Sequence, residues 1–310
     1  LIWGQFSTVN GLARSRIAML NGVDGSTDTS FADPLITLSG SQLDAAALQR
    51  DTKILVGGNV NTVNGVTRKG MCRLNPDGTL DTSFHPDING TVYSFAVQAD
   101  GGIIIGGNFT TVGGQPRSRV AKLKSNGSLD QYFNPGSSDL VKAVALQGDG
   151  NVLLTSFGQI AGQSRGFLAR VNNDLATQSL GITNGGTTIE WLRGGSAPET
   201  NLVTFDVSTD GGATWTSVGA ASRITFPQQG WTLTDGALPP TGHIRARAYP
   251  HGSQTNGSFS IVETITAFGT PPDIVVSENS VVVPHGSTRQ FGVVATGTGS
   301  SLMQLTIQNT

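Results

Sequence analysis

Cysteine is nearly absent: Cys72 stands alone in 310 residues, so no disulfide can form within the chain and the fold depends on its core. Charged residues make up 13% of the chain, about half the usual share, and the formal net charge is −2. This balance offers no basic patch or stripe, which argues against a nucleic-acid-binding protein. No apolar run approaches the roughly 18 residues of a membrane span, so the sequence predicts no transmembrane helix.

Helical periodicity and the usual signatures of catalysis are also missing. No segment of residues 1–180 keeps a 3.6-residue apolar period over the length of a helix. There is no Gly-x-Ser-x-Gly elbow, P-loop or dinucleotide fingerprint in a strand-to-helix context. Four histidines are scattered without zinc-ligand spacing, at His85, His243, His251 and His285. The sequence therefore predicts no catalytic, cofactor-binding or metal-binding residues, and no cofactor.

Glycine is abundant, at 42 of 310 residues or about twice the ordinary fraction, which suits a chain of tight turns. Many of these glycines belong to a unit that returns four times in the first 170 residues. Each unit carries a Gly-x-x-Arg signature, and successive signatures lie 54, 49 and 48 residues apart. The signatures are Gly11 and Arg14, Gly65 and Arg68, Gly114 and Arg117, and Gly162 and Arg165. Periods of this length indicate repeat modules that bury their apolar faces against neighbours.

Each unit has the composition of strands and turns. Apolar runs at Ile54 to Val56, Ile103 to Ile105 and Val152 to Leu154 keep the same spacing, as do Asp-x-x-Phe turns and a glutamine that precedes each run. Such runs, bounded by turn residues, predict equivalent inner strands that are buried on both faces. Cys72 aligns with alanines of other units, which predicts a small buried residue. Four short strands in about 50 residues make one propeller blade, so we expect an all-β, propeller-like region of four-stranded blades.

The third unit carries the clearest family resemblance. Its segment 106–123 reads Gly-Gly-Asn-Phe-Thr-Thr-Val-Gly-Gly-Gln-Pro-Arg-Ser-Arg-Val-Ala-Lys-Leu, and an Asp-Gln-Tyr-Phe turn follows at 130–133. This string resembles the delta-60 repeat of large bacterial secreted and surface proteins. The resemblance covers roughly residues 1–175, with a longer insertion from Leu35 to Gln42 in the first unit. In the last unit Thr155-Ser156 replaces Gly-Gly and the Asp-x-x-Phe turn is missing, which is typical of a terminal cap.

A second module is predicted over residues 180–270, where the composition changes. About 90 residues with six or seven short alternating strands predict a β-sandwich of the immunoglobulin or fibronectin type. The predicted strands are Thr188 to Leu192, Leu202 to Val207, Arg223 to Phe226, Trp231 to Leu233, His243 to Ala248 and Ser260 to Ile265.

This module contains one motif that also occurs in enzymes. The segment from Ser208 to Trp215 fits Ser-x-Asp-x-Gly-x-x-Trp, the Asp box, which resembles hairpin turns of sialidases and other propellers. In that motif the aspartate bonds turn amides and the tryptophan packs under the hairpin, so we expect a structural role. A sialidase-like site would also need a tyrosine nucleophile with an acidic partner. Tyr93, Tyr132 and Tyr249 show no such partner in the sequence.

A third module is predicted over residues 271–310, after the stiff break at Pro271-Pro272. Strands are expected at Asp273 to Val276, Val281 to Val283 and Leu302 to Ile307. The segment from Phe291 to Gly297 resembles the opening of the bacterial choice-of-anchor D immunoglobulin-like domain. About 40 residues are fewer than half of such a sandwich, so the sequence is expected to stop within a domain.

Two recurring features could have chemical roles. The turn from Asn75 to Asp81, with its echoes at Asp24 to Asp28 and Asn126 to Asp130, has alternating oxygen ligands like a calcium loop. It lacks the glutamate that completes such a loop, and Asx turns account for the same residues. The four signature arginines could line an anion-binding surface. The favoured interpretation is that each ties its blade to the next by bonding backbone carbonyls or a turn aspartate.

Two functions of different classes fit these observations. The first is a non-enzymatic structural or adhesive component of a bacterial cell surface or extracellular fibre, with β modules acting as spacers and interaction surfaces. The alternative is a carbohydrate-binding or glycan-hydrolysing propeller whose active face lies outside this segment. Both imply an extracellular or cell-surface location and a glycan or surface partner. The first is favoured because the recurring residues are turn formers and apolar strand residues.

The two ends carry a further expectation. The segment Leu1 to Phe6 aligns with Ile104 to Phe109, so the chain starts inside a module, and no signal peptide is visible. About three and a half blades cannot close a ring. We therefore expect either an interior portion of a longer surface polypeptide or a filament that self-associates through open strand edges at Leu1 to Phe6 and Leu302 to Ile307.

Overall fold

A computed structural model shows the architecture of the chain. It describes residues 1–156, 158–224, 229–234, 238–250 and 261–269, with backbone alone at 41, 42 and 250. It also describes the backbone of three strands at 274–278, 281–282 and 305–309. The described residues form an all-β protein in which the only helical element is one short 3-10 turn, Asn184–Gly186.

The first 171 residues form four consecutive sheets, which we number 1 to 4. Each sheet combines antiparallel strands with a short side hairpin. Sheet 1 contains β1 (Ile2–Trp3), β2 (Thr8–Val9), β3 (Leu12–Ala13) and β4 (Ile17–Ala18). Sheet 2 contains β5 (Thr37–Leu48), β6 (Ile54–Val63), β7 (Val66–Thr67) and β8 (Met71–Leu74). Sheet 3 contains β9 (Thr91–Val97), β10 (Ile103–Asn108), β11 (Thr111–Val112), β12 (Gln115–Pro116) and β13 (Val120–Leu123). Sheet 4 contains β14 (Ala143–Leu146), β15 (Val152–Ser156), β16 (Gln159–Ile160), β17 (Gln163–Ser164) and β18 (Phe167–Val171).

The three apolar runs lie at equivalent central positions, which confirms that part of the sequence prediction. They belong to β6, β10 and β15, and each of these strands pairs with an antiparallel neighbour on both sides. Ile54 to Val56 and Ile103 to Ile105 are fully buried. Leu153 of the third run is half-buried, so in sheet 4 burial on both faces is incomplete.

The predicted fourth strand of each blade is shorter than expected. Sheets 2 to 4 each have three main strands, in the orders β5-β6-β8, β9-β10-β13 and β14-β15-β18. The fourth position is a single bridge in sheets 2 and 3, where Leu80 pairs with Leu74 and Leu129 pairs with Leu123. Only a few residues separate the turn before each bridge from the Asp-x-x-Phe turn after it, which leaves no room for a longer strand. Among the described strands no sheet closes on itself.

The glycine of each Gly-x-x-Arg signature closes a two-residue hairpin. In the second unit Asn64 and Gly65 have φ values of 49° and 77°, and the other three hairpins repeat this pair of positive angles. A type I′ turn needs positive φ at both central residues, and its twist matches that of the flanking strands. The recurrence of glycine therefore reflects a backbone requirement of the turn.

The signature arginines bond backbone carbonyls within their own repeat. Arg117 donates from Nη1 to the carbonyl of Pro116 at 2.8 Å and from Nη2 to that of Asp130 at 3.2 Å. Arg14 and Arg68 make the same two kinds of bond. The carbonyl partners agree with the sequence interpretation, but the arginine secures the turn that closes its own repeat instead of reaching the next. Arg165 is exposed, since the last unit lacks that turn.

Neighbouring sheets pack through complementary large and small residues. Gly57 of sheet 2 faces Phe95 of sheet 3, and a Cβ on Gly57 would lie 3.2 Å from the Phe95 ring. Gly106 of sheet 3 faces Val144 of sheet 4 in the same way, at 2.7 Å. Three apolar clusters result, one at each junction between consecutive sheets. In sheet 4 the equivalent residue is Thr155, whose hydroxyl accepts a hydrogen bond from the Ala143 N–H at 2.9 Å.

The second region consists of two four-stranded antiparallel sheets, numbered 5 and 6, which we call the two-sheet unit. Sheet 5 has the order β19-β20-β24-β23 and sheet 6 the order β22-β21-β25-β26. The strands are β19 (Ala176–Thr183), β20 (Thr188–Gly195), β21 (Thr200–Ser208), β22 (Thr216–Ala220), β23 (Ser222–Arg223), β24 (Gly230–Thr234), β25 (Gly242–Pro250) and β26 (Val262–Phe268). One buried cluster, which includes Trp191 from sheet 5 and Phe205 from sheet 6, joins the two sheets. Strand β19 begins before Leu180 and, like β22, was not predicted from the sequence.

The last described strands are β27 (Ile274–Glu278), β28 (Val281–Val282) and β29 (Leu305–Asn309). They form one antiparallel sheet in the order β28-β27-β29. The predicted edge segment from Leu302 to Ile307 therefore pairs in part with β27, and that from Leu1 to Phe6 pairs in part with β4. The segment from Phe291 to Gly297, the Pro271-Pro272 break and residues 225–226 lie outside the described residues.

Candidate functional site at the junction of the repeats and the two-sheet unit

The two-sheet unit is joined to sheet 3 by backbone hydrogen bonds. Gln98, in the turn between β9 and β10, forms an antiparallel bridge with Pro198, in the loop before β21. The Ala99 N–H donates to the Ala197 carbonyl at 2.7 Å, and the Glu199 N–H donates to the Val97 carbonyl at 2.8 Å. This ladder fixes the position of the two-sheet unit on the repeats.

Side chains extend the junction to sheet 2. Arg50 donates from Nη2 to the Ile224 carbonyl at 2.7 Å, which connects the turn after β5 to the end of β23. Glu199 is buried and pairs with Arg223 at 2.8 Å, and the Arg223 guanidinium stacks on the Trp231 ring at 4.6 Å. These contacts make the junction polar and tightly bonded.

A cleft of about 540 Å³ opens at this junction. Its volume lies within the range of about 300 to 1,000 Å³ that is common for small-molecule sites. Val97, Ala99 and Ile224 supply apolar surface. Three cationic side chains, Arg50, Arg73 and Arg223, are balanced by three acidic ones, Asp51, Asp100 and Glu199. The lining is therefore electrically neutral as a whole.

The cationic groups of the cleft are engaged by the protein itself. Arg73 donates to the carboxylate of Asp81 at 2.8 Å and to the Ser125 carbonyl at 2.7 Å. Arg223 is held by Glu199 and by the Thr200 carbonyl. Because these guanidiniums already have partners, charge alone gives the cleft little preference for an anion.

The groups of the cleft that are available to a ligand are two carboxylates, and two buried amides lie beside them. Asp51 and Asp100 each use Oδ1 to accept the backbone N–H two residues later, at 3.2 and 2.8 Å, which leaves Oδ2 as an acceptor. Gln98 is fully buried, and neither its Oε1 nor its Nε2 has a hydrogen-bond partner. Gln49 also has an unpartnered Oε1. A buried amide without partners costs free energy, so a buried water molecule is the expected partner of these atoms.

Arg193 lies beside the cleft and is 5% exposed. It donates to the Pro198 carbonyl at 2.8 Å, while its Nε and Nη2 have no partner. Burial lowers the pKa of Arg193 to about 10, and nearby Glu199 opposes that shift. A cavity of about 10 Å³ adjoins it. That volume suits a single water molecule, which would satisfy the free guanidinium nitrogens.

The Asp box has the geometry of a structural turn. Asp210 accepts hydrogen bonds from the Thr214 N–H at 2.9 Å and from the Thr214 hydroxyl at 2.6 Å. These bonds, led by the one from the hydroxyl, hold the pKa of Asp210 well below its usual range. Trp215 lies against Gly212 and beneath the Arg245 guanidinium, at 4.4 Å from the ring centroid. The aspartate and the tryptophan of the motif are thus both engaged in contacts within or beside the hairpin.

The turns that resemble calcium loops form Asx turns. Asp77 accepts from the Thr79 N–H at 2.9 Å and from the Thr79 hydroxyl at 2.6 Å, and Asp24 makes the same pair of bonds with Ser26. These hydrogen bonds lower the pKa of both carboxyls, and the bond from the hydroxyl has the largest effect in each case. Within the described part of the chain, no three His, Cys, Asp or Glu residues are grouped to hold a metal ion.

The cleft itself was not foreseen from the sequence. Its walls come from the turns near residues 50, 100 and 200, which no short motif connects. One signal was present, because the glutamine and aspartate of the β-hairpin turn recur at Gln49 and Asp51 and at Gln98 and Asp100. That recurrence predicted a turn in each repeat. These turns line a cleft only because the two-sheet unit docks beside them.

Comparison with known protein families agrees with the repeat architecture. The family model described as "Domain of unknown function (DUF5122) beta-propeller" matches residues 1–31, 49–84 and 98–133. No curated protein and no solved structure matches the chain. Among the described residues, no helix is both long and apolar enough to span a membrane. The matched segments contain sheet 1 and all strands of sheets 2 and 3 except β5 and β9, so this part of the chain is similar to a propeller-like repeat family.

Proposed function

We propose that this chain is a non-enzymatic structural or adhesive component of a bacterial cell surface or extracellular fibre, in which β modules act as rigid spacers and interaction surfaces. The observation that carries the proposal is the backbone ladder between Val97 to Ala99 and Ala197 to Glu199. Flexibly linked modules would not share such a ladder. Together with the apolar clusters between consecutive sheets, it makes a continuous bonded body.

The finer identity of the modules is part of this proposal. We assign residues 1–175 to delta-60-like propeller blades, and the family match within sheets 1 to 3 supports this. We assign residues 180–270 to an immunoglobulin- or fibronectin-like sandwich, supported by two four-stranded sheets around one core. Residues 271–310 are assigned to the start of a further immunoglobulin-like domain. The extracellular location and the glycan or surface partner follow from the delta-60 resemblance.

Rigidity can be measured by the distance between two spin labels. Tyr132 is 99% exposed and Ala213 is exposed, so cysteines at these sites place one label on each side of the junction. Cys72 is buried and will not compete for the label. Pulsed electron spin resonance should give one narrow distance distribution. A broad distribution would show that the modules move independently and would contradict the spacer function.

The junction cleft favours a second candidate function, the binding of a neutral carbohydrate. Carboxylates bond sugar hydroxyls, and Asp51 and Asp100 supply them beside the apolar surface of the cleft. The neutral balance of charges fits an uncharged ligand better than an anionic one. This candidate needs no catalytic residue, so it agrees with the proposed lack of enzymatic activity.

Saturation-transfer NMR with a panel of neutral oligosaccharides tests this candidate. The informative variant is the double change Asp51→Asn and Asp100→Asn, which keeps the Oδ1 acceptor of each turn and removes the charge. Asp149→Asn is the matched control, because Asp149 occupies the same turn in sheet 4 outside the cleft. Binding that is lost in the double variant and kept in the control supports the cleft. If no oligosaccharide binds, only the structural function stands.

A further inference from the structure

Lys122 is a buried lysine that reaches from sheet 3 to the loop after sheet 4. Its side chain is 6% exposed, and its Nζ lies 2.5 Å from Oδ2 of Asp174 and 3.3 Å from Oδ1 of Asn173. An amine, a carboxamide and a carboxylate therefore meet within hydrogen-bonding distance. Catalytic groups act on each other at such separations.

The residue of sheet 2 that is equivalent to Lys122 is Arg73, which also contacts the following repeat. Arg73 reaches forward to the carbonyl of Ser125 at 2.7 Å, and Ser125 occupies the place that Asn173 takes one repeat later. This contact ties one repeat to the next and nothing more, because a guanidinium is not a nucleophile. In sheet 3 the corresponding contact is made by the primary amine of Lys122. It lies against the side-chain amide of Asn173, which an amine can attack.

The Asn173 carboxamide is oriented for this contact. Its Nδ2 donates to the Gly150 carbonyl at 3.0 Å, so the amide nitrogen points away from Lys122 and the carbonyl oxygen points toward it. Asp174 is 77% exposed while its Oδ2 contacts Nζ. The carboxylate can thus exchange protons with solvent, and a small leaving group has a way out.

We propose that Lys122 and Asn173 form an intramolecular isopeptide bond, with Asp174 carrying the proton. The Asp174 carboxylate takes one proton from the Lys122 ammonium, and the free amine attacks Cγ of Asn173. The C–Nδ2 bond of the tetrahedral intermediate then breaks as one proton passes from Nζ to the leaving nitrogen, so that ammonia departs and Nζ–Cγ becomes an amide. The protonated Asp174 carboxyl gives its proton to the ammonia, which leaves as ammonium, and the Asp174 carboxylate is regenerated. No oxidant or other co-reactant is needed.

The bond would cross-link two of the repeats covalently. With Cys72 as the one cysteine, no disulfide can staple the sheets. A Lys122–Asn173 bond would close a loop of about 50 residues that contains all of sheet 4, and closing long loops restricts the unfolded chain. The reaction occurs once per molecule, so a slow rate suffices. This inference does not depend on the proposed surface function.

Intact mass spectrometry of the purified full chain is the decisive experiment. After incubation at neutral pH, the wild-type mass should fall below the calculated mass by one ammonia molecule. Tryptic digestion should give a branched peptide that joins the segment with Lys122 to the segment with Asn173. The full calculated mass in the wild-type protein overturns the proposal, and this measurement depends on no variant.

Variants separate the cross-link from a succinimide at Asn173, which also loses ammonia. Lys122→Arg keeps the cation and the reach to Asn173 but removes the nucleophile, so this variant should show its full calculated mass. A mass deficit that persists in Lys122→Arg would mean a succinimide and would overturn the proposal. Lys124→Arg is the matched control, since Lys124 is exposed two residues away and should keep the deficit. Asp174→Asn should slow the appearance of the deficit at least tenfold.

Discussion

Gly106 and Val144 are in contact across the junction of sheets 3 and 4, so closely that a Cβ on Gly106 would lie 2.7 Å from a Val144 methyl group. Atoms at this distance overlap, and Val141 closes the same space from the other side at 2.7 Å. The absence of a side chain at Gly106 is therefore what allows sheet 4 to pack on sheet 3. Several consequences of such contacts can be measured.

Replacing Gly106 with alanine should destabilise the protein. Overpacking of this kind typically costs about 1–3 kcal/mol, because the sheets must separate or the valines must leave their rotamers. Chemical denaturation monitored by tryptophan fluorescence measures the change. Gly166→Ala is the control, since no atom lies within 4 Å of its Cβ position, and it should be neutral within about 0.5 kcal/mol. Equal effects at both positions would contradict the packing argument.

Gly65→Ala tests the hairpin turns separately from packing. Gly65 has φ of 77° and nothing within 4 Å of its Cβ position, so the whole effect must come from the backbone. An alanine in the left-handed region costs about 1–2 kcal/mol. We expect a loss of that size in the free energy of unfolding. Gly22→Ala, at a site that is also open but is not in the left-handed region, should show no comparable loss.

Asp81 should make stability depend on pH. Its burial raises the pKa, but bonds from Lys53, Ser83 and Arg73 outweigh that and hold the pKa of Asp81 well below its usual range. A carboxyl whose pKa is lowered by folding stabilises the folded state at pH values above its unfolded-state pKa of about 3.9. This stabilisation is lost as the pH falls from there toward the folded-state pKa. Asp81→Asn should therefore cost about 3 kcal/mol at pH 7. The gap between the melting temperatures of wild type and variant should narrow below about pH 4; a constant gap would refute the role of ionisation.

Cys72 should be unreactive in the folded protein. It is fully buried, and burial raises the pKa of its thiol to about 12, with nearby Arg68 opposing the shift. The reactive thiolate is then scarce at neutral pH, and reagents cannot reach it. A chromogenic disulfide reagent should label no thiol in native buffer and one per chain in denaturant. Fast labelling of the native protein would show that the core between sheets 1 and 2 opens readily.

Calcium should not change the melting temperature. The Asx-turn oxygens of Asp24 and Asp77 already accept hydrogen bonds from their own turns, and no bidentate acid completes either loop. Melts with millimolar calcium and with a chelator should therefore coincide within a few degrees. A bound ion present at 100 times its dissociation constant would stabilise the fold by about 2.7 kcal/mol, which such melts would reveal.

The sequence predicts the repeats well because their signals are local. The type I′ hairpins, the Asp-x-x-Phe turns and the apolar runs such as Ile103 to Ile105 each depend on neighbouring residues, so each is visible in one stretch of chain. Strand β19 was missed because Ala176 to Thr183 alternates weakly, and none of its residues is fully buried. Its structure comes from pairing with β20 and not from its own pattern.

The candidate sites could not be predicted because they join distant segments. The cleft combines Asp51, Asp100 and Glu199, and no spacing rule relates these positions. The approach of Lys122 to Asn173 depends on how sheet 4 stacks on sheet 3. The sequence identified Lys122 only as one residue of a strand, because the residue that its amine contacts lies in a loop 51 positions further along the chain.

The bridge between Gln98 and Pro198 also constrains the order in which the molecule assembles. The two-sheet unit follows sheet 4 in the chain, yet this bridge docks it on sheet 3. The bridge therefore closes a loop of about 100 residues. Contacts between distant residues form slowly, because the entropy of loop closure is lost before the contact stabilises the fold. Sheet 4 lies inside that loop, so docking before sheet 4 has formed would close the loop around unfolded chain. We therefore expect refolding in two kinetic phases, with the repeats folding first and the junction forming last.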